Sequence, residues 1–106
     1  MKPRYILRFV FDAGSGVCFW SANDAARSRF GYPVALSSLP LPDELVRAGE
    51  ELIARYDESF DWDAPAGPGP WTQADRDDFD RRARAFLAAA RQASGPEYEL
   101  RDERRR

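Results

Sequence analysis

A segment rich in proline and glycine at residues 61–71 is the feature that most constrains how this chain can fold. Its sequence is Asp61-Trp62-Asp63-Ala64-Pro65-Ala66-Gly67-Pro68-Gly69-Pro70-Trp71. Proline fixes the backbone angle φ and lacks an amide hydrogen, so three prolines and two glycines in this span exclude both a helix interior and a central strand. The segment is therefore predicted to be an ordered loop, and the helical patterns on its two sides belong to separate helices.

The two flanking helices are marked by apolar residues at helical spacing. The first is predicted over residues 42–59, with Pro42 in its first turn. The second is predicted over residues 72–94, because Thr72 followed by Asp75 resembles a capping box. The apolar positions expected to face the core are Leu45, Gly49, Leu52, Tyr56 and Phe60 in the first helix and Phe79, Ala83, Phe86, Leu87 and Ala90 in the second.

Three strands are predicted near the two ends of the chain. Residues 4–12 alternate in hydrophobicity, and a glycine-bearing turn at 12–16 joins them to a short apolar run at 17–20, which predicts a β-hairpin. Residues 97–101 alternate as an edge strand does, and the first strand is their expected neighbour.

The predicted fold class is therefore α+β. A small antiparallel sheet, formed by the N-terminal hairpin and the C-terminal strand, is covered on one face by two long helices and one short helix. The short helix is expected to begin at a cap at Ser21 or Asn23 and to end before Gly31. Residues 1–101 are predicted to form a single domain, and the arginine-rich tail at 102–106 is predicted to fray.

The composition excludes several kinds of chemistry. The 106 residues include no histidine and one cysteine, Cys18, so Ser-His and Cys-His catalysis, an internal disulfide and a thiolate metal cage are all ruled out. The chain has no apolar run long enough to span a membrane, and its first residues do not resemble a signal peptide. The expected location is the cytoplasm, with no membrane partner.

Charge is distributed unevenly along the chain. Residues 57–80 contain eight acidic residues and a single basic residue, Arg76. Residues 81–106 contain eight arginines, although Asp102 and Glu103 interrupt the basic tail, which argues against a nucleic-acid partner. The acidic middle predicts a surface that attracts a partner with a basic surface.

The loop at 61–71 carries two tryptophans, Trp62 and Trp71, among these carboxylates. Tryptophan is enriched among binding hot spots, and a proline-rich loop loses little entropy on docking. In the alternative interpretation, one or both rings fold back over the ends of the two long helices and fill the core. The residues predicted to bind a partner are Asp57, Asp61, Trp62, Asp63, Trp71, Asp77 and Asp78.

A metal-dependent hydrolase that uses Asp57, Asp61 and Asp63 is the alternative from another functional class. Oxygen ligands two residues apart are common in calcium loops. The residues that follow do not match an EF-hand loop. Pro65 stands where an oxygen ligand is required, and Ala66 stands where a glycine is required. The sequence therefore favours a protein without enzymatic activity and indicates no catalytic residue, metal ligand or cofactor.

Part of the sequence resembles a family of short uncharacterised proteins from GC-rich bacteria. The resembling stretches are residues 54–63, continuing through Pro65, Gly67-Pro68 and Pro70-Trp71, and residues 19–24 and 30–33. The use of arginine for all but one of the 16 basic residues also suggests a GC-rich bacterial genome. This resemblance implies no particular activity. Small α+β proteins with an acidic face also resemble immunity proteins at the level of fold.

These observations predict a non-enzymatic protein-binding domain. The most concrete form of the hypothesis is an immunity or inhibitor protein that presents the acidic, tryptophan-containing loop to a basic protein partner. A third hypothesis is a structural subunit whose Trp62 and Trp71 loop closes a homodimer.

Overall fold

The structure is a computed structural model that describes residues 2–104. Its strands and helices are β1 (Tyr5–Phe9), β2 (Phe19–Ser21), α1 (Asp24–Phe30), β3 (Pro33–Val34), α2 (Asp43–Asp57), α3 (Gln73–Ser94) and β4 (Tyr98–Asp102). A single 3-10 turn at Leu36–Ser38 lies between β3 and α2. The loop at 61–71 connects α2 to α3, as its prolines and glycines predict.

The four strands form one sheet in the order β3-β2-β1-β4, which confirms the α+β fold class. β2 is antiparallel to β1, with Leu7 opposite Ser21, and β3 is antiparallel to β2. β4 pairs with β1 as predicted, but the two strands are parallel, with Tyr5 opposite Tyr98.

The parallel edge follows from the path of α3. Phe79, near the start of α3, contacts Phe11 just beyond the end of β1, with ring centroids 5.0 Å apart. After α3 the chain has returned to the beginning of β1, where the amide of Tyr5 donates to the carbonyl of Glu97 at 2.9 Å. A helix that carries the chain back along the sheet leaves the next strand parallel, whereas a hairpin would have made it antiparallel.

The core lies between the sheet and the helices. Tyr5, Leu7 and Phe9 are buried on one face of β1, and every apolar position predicted for α3 is buried. The two long helices approach closely, since a methyl group at Gly49 would lie 2.6 Å from Leu36 Cδ1 and 2.8 Å from Phe86 Cζ. Within residues 2–104, no helix has an apolar stretch long enough to cross a membrane.

Helix α3 begins with the predicted capping box. The Thr72 hydroxyl accepts from the amide of Asp75 at 3.1 Å, and the Asp75 carboxylate accepts from the amide of Thr72 at 2.9 Å. These hydrogen bonds are the main reason that the pKa of Asp75 lies below its ordinary value. Helix α1 has a single cap bond, in which the side chain of Asn23 accepts from the amide of Ala26.

The end of the chain differs from the predicted frayed tail at residues 102–104. Asp102 belongs to β4, and the amide of Glu103 donates to the carbonyl of Phe9 at 3.0 Å. The Arg104 side chain is only 8% exposed and pairs with Asp80 and Asp102. The local sequence did not reveal this order because Asp80 lies on α3, 24 residues earlier. Residues 105 and 106, also predicted to fray, lie outside the described residues.

Candidate functional site

Trp62 is an exposed aromatic side chain at the start of the loop. Its side chain is held in place, because the indole N–H donates to the carbonyl of Asp57 at 3.1 Å and the ring lies 6.0 Å from that of Phe60. It nevertheless remains 59% exposed. A tryptophan that is both exposed and held in position can contact a partner without losing much conformational freedom.

Asp61 and Asp63 flank Trp62 in the sequence, and together with Asp57 and Asp12 they form what we call the acidic patch. Asp57 connects the loop to the hairpin turn, because its carboxylate accepts from the amide of Gly14 at 3.0 Å. Asp61 accepts from the amide of Asp63 at 3.0 Å, which fixes the turn around Trp62.

Asp12 lies in the hairpin turn that contacts Asp57 through the amide of Gly14, and its charge acts on the adjacent Tyr56. Burial is the main reason that the pKa of the Tyr56 phenol is raised, and the negative charges of Asp12 and Asp57 raise this pKa further. Asp12 is not among the residues that the sequence predicts to bind a partner. The residue was part of a predicted turn, and the contact that brings this turn to Asp57 spans 43 residues.

The carboxylates of the acidic patch are not neutralised by neighbouring arginines. Within residues 2–104, none of the four forms an ion pair, whereas Asp78 on α3 pairs with Arg81 at 2.7 Å. Because no arginine within residues 2–104 pairs with these carboxylates and offsets their negative charge, the patch presents a negative potential to the solvent.

The two predicted acids on α3 stand apart from this patch. Asp77 accepts from the side-chain amide of Gln73 at 3.0 Å, and Asp78 also lies 3.8 Å from Arg82. No hydrogen bond or ion pair between described residues connects Asp77 or Asp78 to the acidic patch. Their part in partner binding remains a prediction.

Trp71, at the other end of the loop, packs inward. Its ring lies 5.2 Å from that of Phe79, and the Arg55 guanidinium lies 4.8 Å from its centroid. Arg55 also pairs with Asp75 at 3.3 Å, so Trp71 is held against the first turns of α3. Trp71 thus fits the alternative interpretation, in which a tryptophan ring folds back and covers the core, whereas Trp62 does not.

The geometry gives little support to a catalytic role for the acidic residues or for Cys18. Among the described residues, no three acidic or cysteine side chains are grouped so that they could hold a metal ion, and this includes Asp57, Asp61 and Asp63. Cys18 is buried, which raises the pKa of its thiol to about 12 and makes it a poor nucleophile.

Comparison with known families gives one result. A family model described as Serratia CdiI immunity protein-like matches residues 7–101, which include every element of the fold except the first residues of β1 and the last residue of β4. No curated protein matches the chain.

Proposed function

Because the chain belongs to the Serratia CdiI immunity protein-like family, we propose that it is an immunity protein that binds a toxin through the acidic patch and Trp62. An immunity protein protects a cell by occupying its toxin. Its function is therefore to bind, and one part of its surface must make the contact with the toxin.

The observation that carries the proposal is the exposed Trp62 ring among four unpaired carboxylates. Charge and aromatic surface contribute to different stages of binding. A negative patch raises the rate of encounter with a basic surface, while burial of an aromatic ring slows dissociation. The acidic patch thus favours a toxin with a basic surface next to an apolar contact.

The site is partly organised before binding. The hydrogen bond from the Trp62 indole to the carbonyl of Asp57 holds the ring in place, and the bonds accepted by the carboxylates of Asp57 and Asp61 hold two of the four acidic groups. The prolines of the loop reduce the number of conformations that binding must select. An organised surface of this kind suits a protein that must bind its toxin rapidly.

The experiment measures association of the protein with its toxin partner, by surface plasmon resonance at several salt concentrations. The test variant combines Asp61→Asn with Asp63→Asn. The matched control combines Glu50→Gln with Glu51→Gln, which removes the same charge from exposed positions on α2. We expect the test variant to associate several-fold more slowly at low salt, with a smaller difference at high salt, because a Debye length of about 8 Å at physiological ionic strength screens exposed charges.

Equal slowing by the test and control variants would show that net charge, and not the acidic patch, determines the rate. Unchanged association of the test variant at low salt would contradict the proposal. The solution mass of the free protein, measured on the same samples, tests the homodimer hypothesis separately.

A further inference from the structure

A second surface feature, a cleft of about 750 Å³, lies between the later part of the loop and the end of the sheet. Gly67 and Pro68 form one wall, and Val10 lies at the end of the sheet. The volume is in the range of sites that hold a small ligand or a large side chain. No role for this cleft follows from the sequence patterns or from the family match.

Aromatic rings in contact with one another form much of its lining. Phe11 lies 5.4 Å from Tyr56 and 5.0 Å from Phe79, and Trp71 lies 5.2 Å from Phe79. Phe60 extends the group through a contact of 5.8 Å with Tyr56. A lining of this kind favours a flat, apolar occupant, because aromatic rings pack well edge to face and in offset stacks.

The charged residues of the lining are paired, with one exception. Arg8 pairs with Glu103 at 2.7 Å, and Arg104 pairs with Asp80 at 3.0 Å. Arg76 is exposed and forms no ion pair within residues 2–104. Its Nη1 donates to the carbonyl of Trp71 at 3.2 Å, and its positive charge also acts on the carboxylate of the neighbouring Asp75. The cleft therefore offers one guanidinium that is available to an anion.

The ring of Trp71, which lines the cleft, carries a hydrogen-bond donor that is not satisfied within the described residues. Its indole nitrogen is buried and has no hydrogen-bond acceptor among residues 2–104. A buried donor without an acceptor is costly, and such groups are rare. Because this nitrogen has almost no accessible surface, an oxygen atom of an occupant can reach it only if the ring shifts when the occupant binds.

Some residues of the cleft also line a second hollow, which reaches Asp12 of the acidic patch. This smaller hollow of about 360 Å³ shares Arg8, Val10 and Phe11 with the cleft and has Asp12 in its wall. A partner that covers the acidic patch therefore meets the cleft along the same surface.

We propose that the cleft receives an aromatic side chain of the toxin that lies beside a carboxylate, with the aromatic lining holding the ring and Arg76 binding the carboxylate. This inference rests on the proposed function. It adds that the toxin surface carries a specific pair, an aromatic ring and an acid, next to its basic region.

The test uses N-acetyl-L-phenylalaninate as a probe and N-acetyl-L-phenylalaninamide as its neutral counterpart. The three indole N–H groups give separate reporters in a ¹H–¹⁵N spectrum, because that of Trp20 donates to Val10, that of Trp62 donates to Asp57, and that of Trp71 has no acceptor among the described residues. We expect the anionic probe to shift the Trp71 resonance in a saturable way and to leave that of Trp62 in place. The neutral probe should bind more weakly.

Arg76→Gln should weaken binding of the anionic probe about tenfold or more, since a hydrogen bond to a charged group is worth about 1.5–3 kcal/mol. Arg47→Gln is the matched control, because Arg47 is exposed on α2 and lies outside the cleft lining. This control should leave probe binding unchanged. A Trp71 resonance that does not respond to the probe, or equal weakening by both variants, would overturn the proposal.

The toxin itself provides the second arm of the test. Arg76→Gln should accelerate dissociation of the toxin by about tenfold, while Arg47→Gln should not. If Arg76→Gln leaves toxin binding intact while the Asp61 and Asp63 variant impairs it, the cleft proposal is wrong and the proposed function stands. If neither variant alters toxin binding, both fail.

Discussion

The two ends of the loop at residues 61–71 both carry a tryptophan, but they place it in opposite surroundings. Trp62 is exposed and lies among carboxylates that have no ion-pair partner within residues 2–104. Trp71 packs against Phe79 and Arg55, beside a carboxylate that is fully engaged in a helix cap. Both ends carry a tryptophan, but aspartates flank Trp62 whereas a proline and a threonine flank Trp71.

The difference arises from what each tryptophan adjoins. Trp71 immediately precedes Thr72, the cap of α3, so the fixed direction of the helix start carries its ring toward the core. Trp62 follows the end of α2, where the chain turns away and the nearest tertiary neighbour is the hairpin turn at Gly14. One end of the loop is thus part of the fold, and the other is available for binding.

The largest expected effect concerns stability at the Trp71 end. Trp71→Ala should lower the free energy of unfolding by about 2–3 kcal/mol, because a partly buried aromatic side chain leaves a cavity over Phe79. Trp62→Ala should cost less than about 1 kcal/mol, as expected for an exposed position. Urea unfolding of both variants measures this difference directly.

Cys18 supplies a second readout of the same comparison. Its thiol is buried, so a thiol reagent reaches it only when the structure opens. Labelling should be faster in Trp71→Ala and nearly unchanged in Trp62→Ala. Equal destabilisation by the two substitutions would remove the distinction between the ends of the loop.

The second-largest expected effect concerns toxin binding, for which substitution of Trp62 should matter more than substitution of Trp71. Trp62→Ala should weaken toxin binding by about 2 kcal/mol, about 30-fold, mainly through faster dissociation. Trp62→Phe should retain part of the affinity, since it keeps a ring but loses the hydrogen bond to Asp57. The measurement is surface plasmon resonance, with melting temperatures recorded for each variant. Normal binding by Trp62→Ala would mean that the exposed ring is not part of the interface.

The smallest expected effect concerns the helix cap, formed by Thr72 and Asp75, that follows Trp71. Thr72→Ala should cost about 1 kcal/mol by removing the helix cap.

Because the folded pKa of Asp75 is lowered, its contribution to stability is fully present above the ordinary carboxyl pKa and is lost as pH falls through the folded value. The stability difference between the wild type and Asp75→Asn should therefore be greatest near neutral pH and should shrink in acid. Guanidinium titrations across this pH range measure it, and a difference that does not change with pH would contradict the role of the carboxylate.

Features that depend on neighbouring residues were predictable from the sequence. The capping box at Thr72 and Asp75, the buried side of α3 and the hairpin all follow from local spacing, and each is confirmed. These signals are local because a helix start or a tight turn is decided by the hydrogen bonds and backbone angles of a few consecutive residues.

Features that depend on distant residues were not predictable in the same way. The parallel direction of β4 depends on the path of α3, and the inward position of Trp71 depends on its contact with Phe79. Asp12 joins the acidic patch through a turn that contacts Asp57. None of these contacts leaves a pattern in the nearby sequence, since each one joins segments that only the complete fold brings together.

The pairing of β1 with β4 also bears on how quickly the protein becomes active. Arg8 and Glu103, which pair along this edge, are 95 residues apart. Closing a loop of this length costs entropy before any contact repays it, so folds dominated by such pairings form slowly. Until β4 docks, β1 has an open edge that can pair with another chain. We therefore expect that newly made protein passes through an aggregation-sensitive interval, and that protection from the toxin begins only when this interval ends.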